Sequence, residues 1–140
     1  MEHNFFYSAS MGRPGNEGDG FKAKAANDRK DENNYREIDL NEQLIKNKTA
    51  SFFMRVNSEA MSGAGIHSGD IVIVDRALEA GNGRVIIAVV NGEMLIRRYE
   101  VNNSKRMLVP ATNKLSPIDI VENSEFSVWG VVTYVIRSVW

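Results

Sequence analysis

Arg84-Val85-Ile86-Ile87-Ala88-Val89-Val90-Asn91-Gly92-Glu93-Met94-Leu95-Ile96-Arg97-Arg98-Tyr99 is the stretch that decides the fold. Two runs rich in Val, Ile and Leu flank an Asn-Gly pair. A two-residue type I′ turn needs positive φ at both central positions, and Asn followed by Gly meets that need at least cost. The stretch is therefore predicted to be an antiparallel hairpin. Working outward, strands are expected at Ser51 to Val56, Ile71 to Val74, Met107 to Val109, Ile118 to Val121 and Phe126 to Ile136. Gly130 marks a bulge or a bend in the last and longest run. Helix is scarce: Asp39 to Ile45 reads as one short helix, with Asp39 or Asn41 near its start. Short strands at close intervals with turn residues between them predict a mainly β fold, a compact antiparallel barrel or sandwich. Gly81-Asn82-Gly83 is a turn, since the rest of a dinucleotide fingerprint is missing.

The 140 residues suit one domain, but the two ends differ in character. The first 37 residues contain no Ile, Leu or Val. Such a segment buries too little apolar surface to offset its ordering entropy. Residues 1–37 are expected to be a flexible N-terminal arm, with Phe5, Phe6 and Tyr7 as a docking point, and residues 38–140 the β-rich domain. A net charge of −1 gives no bulk attraction to nucleic acid. The mixed run Asp28-Arg29-Lys30-Asp31-Glu32 reads as solvated chain, not a phosphate patch. The absence of cysteine excludes disulfides and thiolate metal sites. No apolar run reaches membrane-spanning length and no signal-peptide core is evident, so the expected location is the cytoplasm.

One segment carries more specific information. Phe52-Phe53-Met54-Arg55-Val56-Asn57-Ser58-Glu59-Ala60-Met61-Ser62-Gly63-Ala64-Gly65-Ile66 leads into His67-Ser68-Gly69-Asp70-Ile71-Val72-Ile73-Val74-Asp75. This resembles the nucleophile segment of the LexA/UmuD group of self-cleaving proteins, where Ser-Met follows a strand and "xGGIxxGDxxxVD" comes next. The resemblance extends through Ile38-Asp39-Leu40-Asn41, through Val85 to Glu93, through Leu108-Val109-Pro110-Ala111-Thr112-Asn113, and through Val128 to Ile136. These motifs are ordered and jointly specific across roughly the last hundred residues. The arm lacks the size and apolar pattern of the helix-turn-helix domain that LexA carries, so the chain is more similar to UmuD.

The resemblance implies a β-rich homodimer of the bacterial DNA-damage (SOS) response, without sequence-specific DNA binding of its own. It implies arm cleavage promoted by a RecA–single-stranded-DNA filament. It implies partnership with an error-prone translesion polymerase subunit, UmuC-like in kind. The family chemistry uses a serine nucleophile and a buried lysine made neutral by desolvation. Neither cofactor nor metal is expected.

Three requirements of that chemistry fail here. Ala60 stands where the serine falls and has no oxygen to offer. Arg97 stands where the lysine falls, and a guanidinium keeps its proton in proteins. No lysine occurs from Thr49 to Ser104. The family cuts before glycine, typically after Ala or Cys, whereas the candidate remnant here is Asp19-Gly20, followed by Phe21. Three losses together fit a natural pseudoenzyme. The alternative is an active self-processing Ser-Lys peptidase captured with its nucleophile replaced at Ala60.

Other residues carry weaker signals. Ser58 and Ser62 flank Ala60 and read as turn serines. His67, in a His-Ser-Gly-Asp turn, reads as a solvated turn residue; with Asp70 it makes a poor metal site. Arg97 and Arg98 point to opposite faces of their strand, so one is surface. Arg97, at the base position, needs a buried partner or must reach water. Trp129 fits an interface or the core, and terminal Trp140 an interface.

Overall fold

In the computed structural model, residues 5–8, 37–121 and 125–140 are described. Eight strands form one sheet: β1 (Phe5–Ser8), β2 (Ser51–Arg55), β3 (Ile71–Asp75), β4 (Val85–Val90), β5 (Glu93–Asn102), β6 (Lys105–Val109), β7 (Ile118–Ile120) and β8 (Phe126–Ile136). Their order across the sheet is β1-β2-β3-β8-β4-β5-β6-β7, and every neighbouring pair is antiparallel. The mainly β, antiparallel expectation holds. Among the described residues one short α-helix, α1 (Leu40–Leu44), is N-capped by Asp39, whose Oδ1 accepts the Asn41 N–H at 3.1 Å.

The β4–β5 hairpin turns on Asn91 and Gly92 with φ of 50° and 83°, as a type I′ turn requires. Val90 pairs with Glu93 across it. A second tight hairpin went unforeseen. Asn103 and Ser104 take φ of 50° and 71° between β5 and β6, so both strands run further than expected and Asn102 pairs with Lys105. Serine is seldom placed in the left-handed region, so Asn-Ser gives no strong turn signal.

Strand β4 is buried on both faces at the centre of the sheet. Ile87 joins Met54, Val56, Met61, Ile66, Val72, Val74 and Ile96 in one core. Ile86 and Ala88, on its other face, join Tyr99, Leu108 and Val131 in a second. A strand covered on both sides reads as a continuous aliphatic run, which explains why Val85 to Val90 shows no polar alternation. A smaller cluster packs Leu44 and Ile45 on Phe53 and Ile73, seating α1 on the sheet.

Strand β8 bridges the halves of the sheet and carries two irregularities. Its register against β4 shifts between Ile87 and Ala88, skipping Trp129. Its register against β3 shifts between Ile73 and Val74, skipping Thr133. Gly130 sits beside the first shift, where a Cβ would lie 2.5 Å from Val74 Cγ1. Trp129 packs on the first core and meets Phe52 edge-on, with ring centroids 5.4 Å apart. The Arg76 guanidinium covers its ring, 4.3 Å from the centroid. Trp129 is thus held by the chain's own residues, whereas Trp140 is fully exposed.

Within the stretch expected to be an arm, Phe5–Ser8 forms β1 against β2, with Phe5 opposite Arg55 and Ser8 opposite Phe52. The remaining expectations for that stretch, including Asp19-Gly20, lie outside the described residues. No described helix is long and apolar enough to cross a membrane.

Candidate functional site

Strand β5 alternates as a pleated strand must. Ile96 turns into the first core, with Met94 packed against it. Glu93, Leu95 and Arg97, on the opposite face, line a cleft of about 690 Å³. One wall is the turn after β2, with Asn57, Ser58, Glu59, Ala60 and Ser62. The other is the segment before and into β7, with Thr112, Lys114, Leu115 and Ile118. The fold therefore brings Ala60 and Arg97, 37 positions apart in the chain, to one cleft.

Backbone contacts fix Ala60. Its carbonyl accepts the Ala111 N–H at 2.7 Å, and Gly63 N–H donates to the Ala111 carbonyl at 2.7 Å. These two bonds stitch the walls together. Gly63 permits the approach, since a Cβ there would collide with the Ala111 oxygen. Ser58 Oγ accepts the Ala60 N–H at 3.0 Å, a turn-serine role as expected. Ala60 is buried, at 2 % exposure.

Arg97 is 6 % exposed, and its Nη1 donates to the Ile96 carbonyl at 2.8 Å. It does not reach out to bulk water. Arg98, on the other face, donates from Nη1 to the Gly83 carbonyl. Lys114 lines the cleft from a segment far along the chain, and the sequence reading missed it. It is an exposed side chain in a loop, and only tertiary structure brings it there.

His67 is more engaged than a solvated turn residue. Its Nδ1 lies 3.1 Å from Glu59 Oε1, and the Ser68 N–H donates to Glu59 Oε2 at 2.9 Å. The Ser68 N–H, and after it His67, hold the Glu59 carboxyl below the usual carboxylate range. Asp70 anchors the same loop from within. It accepts the His67 N–H at 2.8 Å and two bonds from Arg137. Chiefly through Arg137, and against the effect of burial, its carboxyl is held below the ordinary value. Among the described residues no group of His, Asp or Glu could hold a metal ion. The cleft thus offers a buried cation, a rim cation and apolar side chains, and at position 60 no nucleophile.

Residues 18–133 match a family described as Peptidase S24-like, a span that takes in Asp19, Gly20, Ala60 and Arg97. Protein MucA of Salmonella typhimurium is 32% identical over 100 residues, covering 70% of this chain and 67% of MucA. Protein ImpA of Shigella flexneri is 34% identical over 109 residues, covering 72% of this chain and 68% of ImpA. The LexA repressor of Bordetella pertussis is 30% identical over 103 residues, 74% of this chain but 47% of the repressor. The match thus spans about half of that repressor.

Proposed function

Because the chain belongs to the Peptidase S24-like family, with UmuD/LexA-like relatives, we propose that it is a catalytically silent, UmuD-like dimer of the SOS response. On this reading it binds and regulates an error-prone translesion polymerase rather than cleaving itself. The observation that carries the reading is the meeting of Ala60 and Arg97 in one cleft. A Ser-Lys mechanism needs an oxygen nucleophile and a neutral amine there. An alanine supplies no oxygen and a guanidinium surrenders no proton, so neither half of the reaction can start.

The dimer has support in β8. Pairing with β4 ends at Val131 opposite Ile86, while β8 runs on to Ile136. Beyond Val131 the β4-side edge of β8 has no strand partner among the described residues. Tyr134, Val135 and Ile136 there are each about 40 % exposed. An unpaired edge bearing large apolar side chains is a template for a second copy.

Self-cleavage tests the reading. The chain is incubated with an activated RecA–single-stranded-DNA filament and its mass is measured. The chain as it stands and Ala60→Ser alone are expected to stay whole. Ala60→Ser with Arg97→Lys is expected to cut slowly, and Asp19→Ala to raise that rate. Efficient cutting by Ala60→Ser alone would overturn the silent reading and favour a self-processing peptidase. Adding Lys114→Gln would then show whether the rim lysine had served as base.

A further inference from the structure

We propose that Asn91 is a site of spontaneous covalent modification: its side-chain amide is lost through a cyclic imide with Gly92, leaving aspartyl and isoaspartyl forms of the β4–β5 turn. The inference holds whether or not the cleft is silent.

The chain contains two Asn-Gly pairs, Asn82-Gly83 and Asn91-Gly92. Both are exposed, so access to water does not separate them. Hydrogen bonding does. Imide formation needs two groups free at once: the glycine amide nitrogen as nucleophile and the asparagine side-chain amide as target. At the first pair both are engaged. Gly83 N–H donates to the Tyr99 carbonyl at 2.7 Å, and Asn82 Oδ1 accepts the Val101 N–H at 2.8 Å. The Gly83 carbonyl is held as well, by Arg98 Nη1 at 2.8 Å. At the second pair, neither Gly92 N–H nor the Asn91 side chain has a hydrogen-bond partner among the described residues. Asn91 N–H does donate, to the Glu125 carbonyl at 2.8 Å, but that group takes no part in the ring.

The backbone favours the attack. Asn91 has φ of 50°. The first central residue of a type I′ or II′ turn has φ near +60°, and a flip of the central peptide converts one into the other by taking its ψ to about −120°. That flip swings the Gly92 nitrogen towards the Asn91 side chain. Both turn types close a two-residue hairpin, so the Val90–Glu93 pair survives it. Gly92 has no Cβ to crowd the nitrogen.

In the reaction Gly92 N loses its proton and attacks Asn91 Cγ. The N–Cγ bond forms, the Cγ–Nδ2 bond breaks, and ammonia leaves with the proton. Water then opens the imide. Opening at Cγ gives an aspartyl residue. Opening at the backbone carbonyl gives an isoaspartyl residue, in which the chain runs through Cγ. Either product puts a carboxylate two positions from Glu93, which lines the cleft. The isoaspartyl form also adds a backbone carbon to a turn of two residues. The hairpin that carries Glu93, Leu95 and Arg97 into the cleft therefore ages at its tip.

The test holds the full chain folded in mildly alkaline buffer and a matched sample in concentrated urea. Both are digested at intervals. Conversion at Asn82 and Asn91 is followed by mass spectrometry as the exchange of ammonia for water, with isoaspartyl peptides resolved by chromatography. In the folded chain Asn91 is expected to convert at least about tenfold faster than Asn82, which must first give up two hydrogen bonds. In urea the two rates are expected to converge. Equal rates in the folded chain, or an Asn91 that converts only in urea, would overturn the proposal. After ageing, hydrogen exchange at the Val90 and Glu93 amides is expected to be faster in the wild type than in Asn91→Gln, whose longer side chain disfavours the ring. Equal exchange in the two aged chains would overturn the effect on the hairpin.

Discussion

Arg137 and Asp70 stand 67 positions apart and meet in a two-pronged ion pair, with Nε and Nη2 each 2.7 Å from a separate carboxylate oxygen. Arg137 Nη2 also donates to the Gly65 carbonyl at 2.8 Å. The segment after β8 is thereby tied to the loop that follows the Ala60 turn. Asp70 is buried and Arg137 half exposed, so the pair is partly shielded from solvent. A carboxyl held below its ordinary value stabilises the fold above that ordinary value, near pH 4, and the contribution fades as pH falls through the folded one. Acid unfolding of the wild type is expected to steepen below about pH 4. Asp70→Asn is expected to lower stability at neutral pH and flatten that limb, as read by denaturant midpoints between pH 2 and 7. An unchanged acid limb in Asp70→Asn would count against the linkage.

Gly130 offers a steric test. A Cβ there meets Val74 Cγ1 at 2.5 Å and the Asp75 carbonyl at 3.3 Å. Gly130→Ala should destabilise by about 1–3 kcal/mol through overpacking. Val74→Ala removes the methyl group in the way, at the cost of a cavity. The double variant should be more stable than the sum of the two changes predicts, and a double-mutant cycle of urea midpoints reads the difference. Simple additivity would place the strain elsewhere.

The β4–β5 turn should respond to a different mechanism. Gly92 has φ of 83° with nothing near its missing Cβ. Gly92→Ala therefore meets no clash but forces a side chain into the left-handed region, costing on the order of 1 kcal/mol. Gly92→Asn should lose less, because Asn tolerates that region. Thermal midpoints that fall equally for the two variants would contradict this account.

The proposed dimer can be broken at the edge of β8. Ile136→Lys places a charge among Tyr134, Val135 and Ile136 and is expected to give a monomer by light scattering at micromolar concentration, where the wild type gives about twice the chain mass. The paired core, which Ile136 does not enter, should retain its circular-dichroism spectrum. A wild-type chain already monomeric would remove the dimer from the proposal.

What the sequence made legible follows the range of the physics involved. The Asn91-Gly92 hairpin was readable because a single local dihedral requirement selects its residues. The limits of β8 were readable because β-branched and aromatic residues dominate from Phe126 to Ile136. The position of its bulges was not, because they depend on what β3 and β4 place alongside, and Gly130 gave only a hint. The pairing of Phe5–Ser8 with β2 was invisible, since nothing in four residues names a partner strand 43 or more positions away. In the cleft, Ala60 and Arg97 were found by motif. Lys114 and the Glu59–His67 contact escaped because loop residues carry no periodicity to mark them. The Asp70–Arg137 pair escaped for the same reason.

The two backbone bonds that join Ala111 to Ala60 and Gly63 have an evolutionary consequence. They hold the turn by groups that every residue except proline possesses. The two bonds themselves therefore ask nothing of the side chain at position 60, and on the silent reading the turn keeps its backbone anchors without a hydroxyl there. Selection on the reaction and selection on the shape act on separate atoms, so the shape is free to be kept for another use.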